Sequence, residues 1–172
     1  MEEKLLRVNY LDVGSKLIYL HAGLSIALGL LSPLVAHLLF PRPFVFAAED
    51  EVFTQTPWIL LVDQSRNLAL WLVLQADIAR GAMLSYGIMT VVMVRRGLSN
   101  AHRWALSTIA LSGLATGMPL WAVAVLYIER GLYQGLSGIS LGLVLSILLY
   151  VPWVAGLIAS SIGIRAASSN SS

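Results

Sequence analysis

Apolar residues fill this chain in four long runs, Ile18 to Phe40, Leu68 to Val94, Trp104 to Ile128 and Leu136 to Ile164, parted by short charged segments. The runs hold 23, 27, 25 and 29 residues. Each is longer than the about 20 helical residues that cross a hydrocarbon core. Inside a bilayer the backbone must satisfy its own polar groups, so runs of this length are helices. The pattern predicts one all-α domain over residues 1–172, a polytopic membrane protein with four transmembrane helices.

The segments between the runs carry their own signals. In residues 2–16, Leu5, Val8 and Leu11 share a helical face while Glu3, Lys4 and Arg7 lie elsewhere. That predicts a short amphipathic stretch on the membrane surface ahead of the first span. Pro33 removes a backbone donor and predicts a kink near Gly29, and Pro41-Arg42-Pro43 ends the span. The loop 41–67 is the longest polar-leaning segment. Within it Thr56-Pro57 is a helix start, with threonine as cap and proline at the first helical position. A short helix over Trp58 to Val62 is expected, and Asp63 to Asn67 separates it from the second span. The serine-rich tail, 166–172, is expected to be unordered.

Charge then orients the spans. Lys4, Arg7, Lys16, Arg95, Arg96, Arg103 and Arg165 fall on one side, and only Arg42, Arg66 and Arg130 on the other. By the positive-inside rule both termini are cytoplasmic. Trp58, Tyr127 and Tyr133 would mark the outer interface, and Tyr10, Tyr19 and Trp104 the inner one. The first apolar run is longer than a signal-peptide core, so we expect an uncleaved anchor in the cell membrane.

Composition narrows the chemistry. With 58% hydrophobic and 12% charged residues and a mean hydropathy of +0.79, the chain departs from soluble-domain usage. A net charge of +2 with no basic stripe gives no support to nucleic-acid binding. The chain has no cysteine, which removes disulfides, thiolate metal sites and thiol redox chemistry. No nucleophile triad, phosphate loop, zinc-protease pair or calcium-loop spacing is present, and no metal site is expected. Glu49-Asp50-Glu51 reads as a solvated acidic turn.

Polar residues inside the spans are the candidate sites. Asp77 and Arg80 are three apart on a helix, so their side chains can meet, with Gln75 nearby. A structural ion pair and a contact for a substrate or ion both satisfy the cost of such charges. His21 and His37, about 24 Å apart along one helix, would lie near opposite membrane faces. The plain reading makes them interfacial hydrogen-bonding groups. The alternative makes them haem b ligands opposed by methionine, with Met83, Met89, Met93 and Met118 available. His102, beside Arg103, reads as a headgroup contact. Gly113, Gly117, Gly138, Gly142 and Ser146 are small residues at four-residue spacing, the pattern that lets helices pack closely in lipid.

Asp77-Ile78-Ala79-Arg80-Gly81 opens an apolar span with Tyr86-Gly87 inside it and Arg95-Arg96 at its end, and Gly117-Met118-Pro119 follows in the third run. This arrangement resembles small four-helix DoxX-like membrane proteins and related families. The resemblance covers the second and third spans. It implies a four-helix bundle, in some cases tied to membrane redox systems, and carries no catalytic residues. The leading expectation is a non-catalytic accessory or scaffold subunit of a larger membrane complex, partnered by lipid and by other subunits or copies of itself. A small transporter or channel using Asp77, Arg80 and Gln75, and a redox subunit holding haem b or quinone, are the alternatives.

Overall fold

The computed structural model describes the backbone of residues 2–40, 48–129 and 141–169. Among the described residues six helices follow one another: α1 Glu2–Leu38, α2 Ala48–Thr54, α3 Trp58–Gln64, α4 Arg66–Arg96, α5 Arg103–Glu129 and α6 Leu141–Ser168. A single 3-10 turn, Leu98–Asn100, joins α4 to α5, and there is no strand among the described residues. Four helices, α1, α4, α5 and α6, are long and apolar enough to cross a membrane.

The centre of the bundle is α1, which runs antiparallel to both α4 and α6 and packs along each. Close approaches at glycines set these crossings. A side chain on Gly14 would lie 2.6 Å from the Ser160 amide nitrogen and 2.9 Å from the Gly156 carbonyl. Against α4, a side chain on Gly29 would lie 2.9 Å from the Arg80 carbonyl, and one on Gly87 would lie 2.9 Å from the Ala22 carbonyl. Lipid offers no hydrophobic drive between helices, so backbone proximity at small residues supplies the van der Waals contact instead.

The start of α1, the end of α6 and the Gly97–His102 turn gather at one end of the bundle, here the terminal end. Ile18, Val94, Leu98, Ala105, Ile109, Trp153 and Ile164 form its core, with Leu11 packed against them. Ala101 closes the turn in a left-handed conformation with φ of 60°, and Ser99 donates to the Val94 carbonyl at 2.9 Å. At the opposite, distal end, Trp58 of α3 covers Ala36 of α1 and Ala69 and Val73 of α4.

Several local expectations change. Residues 2–16 are not a separate surface segment, because α1 is continuous from Glu2 and its Leu11 lies against Gly163. The acidic stretch belongs to a helix, α2, rather than a turn. Thr56 does not cap α3: its hydroxyl turns back to the Thr54 carbonyl, while the Glu51 carboxylate accepts from the Trp58 amide at 2.9 Å. Trp58 is buried, since α3 folds back over small residues. Only Ser65 separates α3 from α4, its hydroxyl accepting from Leu68 N. Helix α6 continues through Ser168 into the expected tail, where Ser168 accepts from Arg103 Nη2 at 2.9 Å. The Pro41–Pro43 turn, Arg130, Tyr133 and Gly138 lie outside the described residues, as does the Tyr127 side chain.

Candidate functional site

The antiparallel register of α1 and α4 brings two polar groups together across their seam. Gly29 lies against Leu84 and the Arg80 carbonyl. Two turns further along α1, His37 is therefore level with Asp77. Its Nε2 reaches Asp77 Oδ2 at 2.6 Å. One turn along α4, Arg80 Nη1 donates to Asp77 Oδ1 at 2.8 Å. A carboxylate can only accept, so His37 Nε2 carries the hydrogen. The three side chains grade from nearly enclosed to open, with exposures of 13% for Arg80, 20% for Asp77 and 45% for His37. The grading leaves the imidazole as the group through which surroundings reach the pair.

The second group is buried in the seam of α1, α4 and α6. His21 Nδ1 contacts the Leu149 carbonyl at 2.7 Å, and Nε2 contacts the Tyr86 hydroxyl at 3.1 Å. Leu149 precedes Pro152 by three residues in α6, where a missing donor and the ring's bulk loosen the hydrogen-bond ladder. A carbonyl only accepts, so Nδ1 bears the proton and fixes the neutral tautomer. Tyr86 then donates its hydroxyl to Nε2. Aromatic rings surround the pair: Tyr150 and Trp153 lie 6.2 and 6.3 Å from the His21 ring, and Trp121 lies 5.5 Å from Tyr150.

Gly113 and Gly117 do serve packing, but by seating rings and not by drawing backbones together. Gly113 lies beneath the Trp153 indole and Gly117 beneath the Tyr150 hydroxyl. Ser146 is half-buried on α6, and the surroundings of Gly142 lie outside the described residues.

Two site expectations are corrected. Gln75 does not join Asp77 and Arg80; two residues before Asp77 it lies on the far side of α4 and is exposed. His21 is enclosed by the bundle, 2% exposed, and its hydrogen bonds go to the Leu149 carbonyl and the Tyr86 hydroxyl and not to a headgroup. Of the groups weighed for haem, both His21 nitrogens and His37 Nε2 make hydrogen bonds within the bundle, Met89 and Met118 are exposed, and Met83 and Met93 are half-buried. Among the described residues no three His, Asp or Glu side chains are grouped to hold a metal ion. His102 is exposed and stacks on Trp104, with ring centroids 6.3 Å apart.

Sequence reasoning found Asp77 with Arg80 and missed His37 as their partner. Gly29 and Gly87 were the available signal, because pairing them across α1 and α4 fixes the register that makes His37 level with Asp77. Comparison with family models, curated proteins and solved structures matches none of them.

Proposed function

We propose that this chain is a non-catalytic accessory subunit of a larger complex in the cell membrane, with both termini cytoplasmic. The observation that carries the reading is a stripe on α5. Leu111, Leu114, Met118, Trp121, Val125 and Ile128 recur at alternating intervals of three and four residues, and every one is exposed. That spacing is the heptad seam of helices that pack side by side, each knob entering a hole on the facing helix. An adjoining face of α5 already seats Trp153 and Tyr150 at Gly113 and Gly117, and Trp121 lies at its edge with its ring 5.5 Å from Tyr150. The rest of the stripe is open to a partner helix.

The polar groups support the same role. His21 with Tyr86 and Leu149, and His37 with Asp77 and Arg80, tie helices to one another. The resemblance of the second and third spans to DoxX-like proteins agrees with service in a membrane redox assembly.

The test is purification in mild detergent, followed by identification of co-eluting proteins. The native chain should elute with a stoichiometric partner. A variant with Leu114, Met118 and Val125 changed to alanine should elute alone at an unchanged melting temperature. A native chain that elutes as a lone monomer refutes the reading.

A second reading, a small transporter using Asp77 and Arg80, is favoured by the half-exposed His37 beside the enclosed ion pair. Asp77→Asn separates the two. Lost transport with intact assembly supports transport, whereas lost protein level supports structural pairing.

A further inference from the structure

Charge is shared unevenly between the two ends of the bundle. In α1 the bases Lys4, Arg7 and Lys16 are matched in number by Glu2, Glu3 and Asp12, so by sequence the terminal end keeps the excess of Arg95, Arg96, Arg103 and Arg165. Two of these are drawn together by one hydroxyl. Arg103, the first residue of α5, donates from Nη2 to Ser168 Oγ at 2.9 Å, and Ser168 donates to the Arg165 carbonyl at 2.9 Å. Arg165 precedes Ser168 by three residues, so its side chain shares that face of α6. Two exposed arginines from different helices thus occupy one corner.

Like charges held on one face cost free energy unless an opposite charge lies between them. Attraction to the last carbonyls of α6 accounts for Arg103 but leaves the Arg165 guanidinium without a hydrogen bond among the described residues. Each guanidinium offers a planar fork of donors that fits the oxygens of a phosphate. The surroundings of the corner indicate what carries that phosphate. On the face of α6 that bears Arg165, the side chains of Ile162, Ile158 and Val154 are all exposed, leading toward the middle of the span. From Val154 to Arg165 is about 16 Å along the helix, close to half of a hydrocarbon core about 30 Å thick. Trp104, next to Arg103, is exposed at the same level, where an indole suits the interface. An acyl chain lying on the three aliphatic residues therefore brings its headgroup to the two arginines.

We propose that the corner formed by Arg103, Ser168 and Arg165 binds the phosphate of an anionic phospholipid, whose acyl chain lies along Ile162, Ile158 and Val154. The arginines hold the phosphate by charge-assisted hydrogen bonds, and Ser168 positions Arg103 beside Arg165. Net negative charge on the headgroup distinguishes this lipid from a zwitterionic one, since a choline or ethanolamine group would meet two like charges. The inference rests on the membrane placement proposed above and is independent of whether α5 meets a partner.

Native mass spectrometry of the full chain tests it, with release from detergent micelles that carry equal amounts of dioleoyl phosphatidylglycerol and dioleoyl phosphatidylcholine. The native chain should retain phosphatidylglycerol over phosphatidylcholine by about tenfold, the order expected for two arginines at a membrane surface. Arg103→Gln with Arg165→Gln should abolish that preference. Arg95→Gln with Arg96→Gln makes the same change in net charge outside the corner and should leave the preference in place. Ser168→Ala keeps every charge but frees Arg103, and should lower the preference about threefold, the worth of one modest hydrogen bond. Equal retention of the two lipids by the native chain overturns the site. So does an equal loss in the two arginine double variants, which would mean diffuse attraction, or displacement of the lipid by inorganic phosphate, which would mean a site for the free anion. Where the Arg103 and Arg165 double variant does not fold, an unchanged preference in Ser168→Ala overturns it. A chain that stays dispersed without detergent, before any lipid is added, removes the membrane placement itself and the site with it.

Discussion

His37 and Arg80 take opposite oxygens of one carboxylate, that of Asp77, at 2.6 and 2.8 Å. One is on α1 and the other on α4, so a single acidic side chain joins two helices that otherwise meet mainly through glycine and alkyl contacts. The energetic consequence is uneven. Removing Asp77 leaves a guanidinium that is nearly enclosed, whereas removing His37 leaves a carboxylate still neutralised by Arg80.

Asp77→Ala should therefore destabilise the bundle by about 3 kcal/mol, the range seen when one member of a buried pair is lost. His37→Gln should cost about 1 kcal/mol, the net worth of one hydrogen bond. The double variant Asp77→Leu with Arg80→Leu should recover most of the Asp77→Ala loss, because no charge is then left unpaired. Unfolding followed by thermal or detergent titration checks the order of the three.

The neutral tautomer assigned to His21 is directly measurable. Ring-nitrogen NMR of histidine-labelled protein should show the proton on Nδ1 and a hydrogen-bonded, unprotonated Nε2. Tyr86→Phe should remove the second feature and lower stability by about 1–2 kcal/mol, since a buried acceptor loses its donor. An unprotonated Nδ1 would contradict the contact with the Leu149 carbonyl.

Glycine substitutions should divide sharply by position. Gly14→Val meets the Ser160 amide and the Gly156 carbonyl, which are backbone atoms and cannot swing aside. It should separate α1 from α6 and cost about 3 kcal/mol or more, as overpacked interiors do. Gly23→Ala meets nothing within 4 Å and should be neutral or stabilising by up to about 1 kcal/mol through helix propensity alone. Equal effects at both positions would show that the α1–α6 approach is drawn wrongly.

Single cysteines report the expected orientation. Residues introduced in place of Ser99 and Ser169, both at the terminal end, should react only with reagent applied from the cytoplasmic side. One in place of Asp63, at the distal end, should react only from the opposite side. Labelling of Ser99→Cys and Ser169→Cys from opposite sides would contradict the shared terminal end.

The spans were legible because lipid imposes a length that shows directly as uninterrupted apolar sequence. Asp77 with Arg80 was legible for a similar reason: a three-residue spacing on one helix is a local fact. His37 was not, since its link to Asp77 depends on how two distant helices register. The glycines show the same divide. Gly113 and Gly117 form a visible local pattern, yet they seat the rings of Trp153 and Tyr150. The tightest backbone approaches use Gly14, Gly163, Gly29 and Gly87, whose partners are on other helices. The burial of Trp58 was not legible, because it depends on which distant small residues its helix meets. Here α3 folds back over Ala36, Ala69 and Val73.

The most direct test concerns the outward face of α5. A photo-crosslinking residue in place of Met118, activated in native membranes, should yield one discrete protein adduct, while the same residue in place of the equally exposed Ile78 on α4 should not. The subunit reading predicts that contrast. Only lipid adducts at Met118, from a chain that remains folded and monomeric, would contradict it.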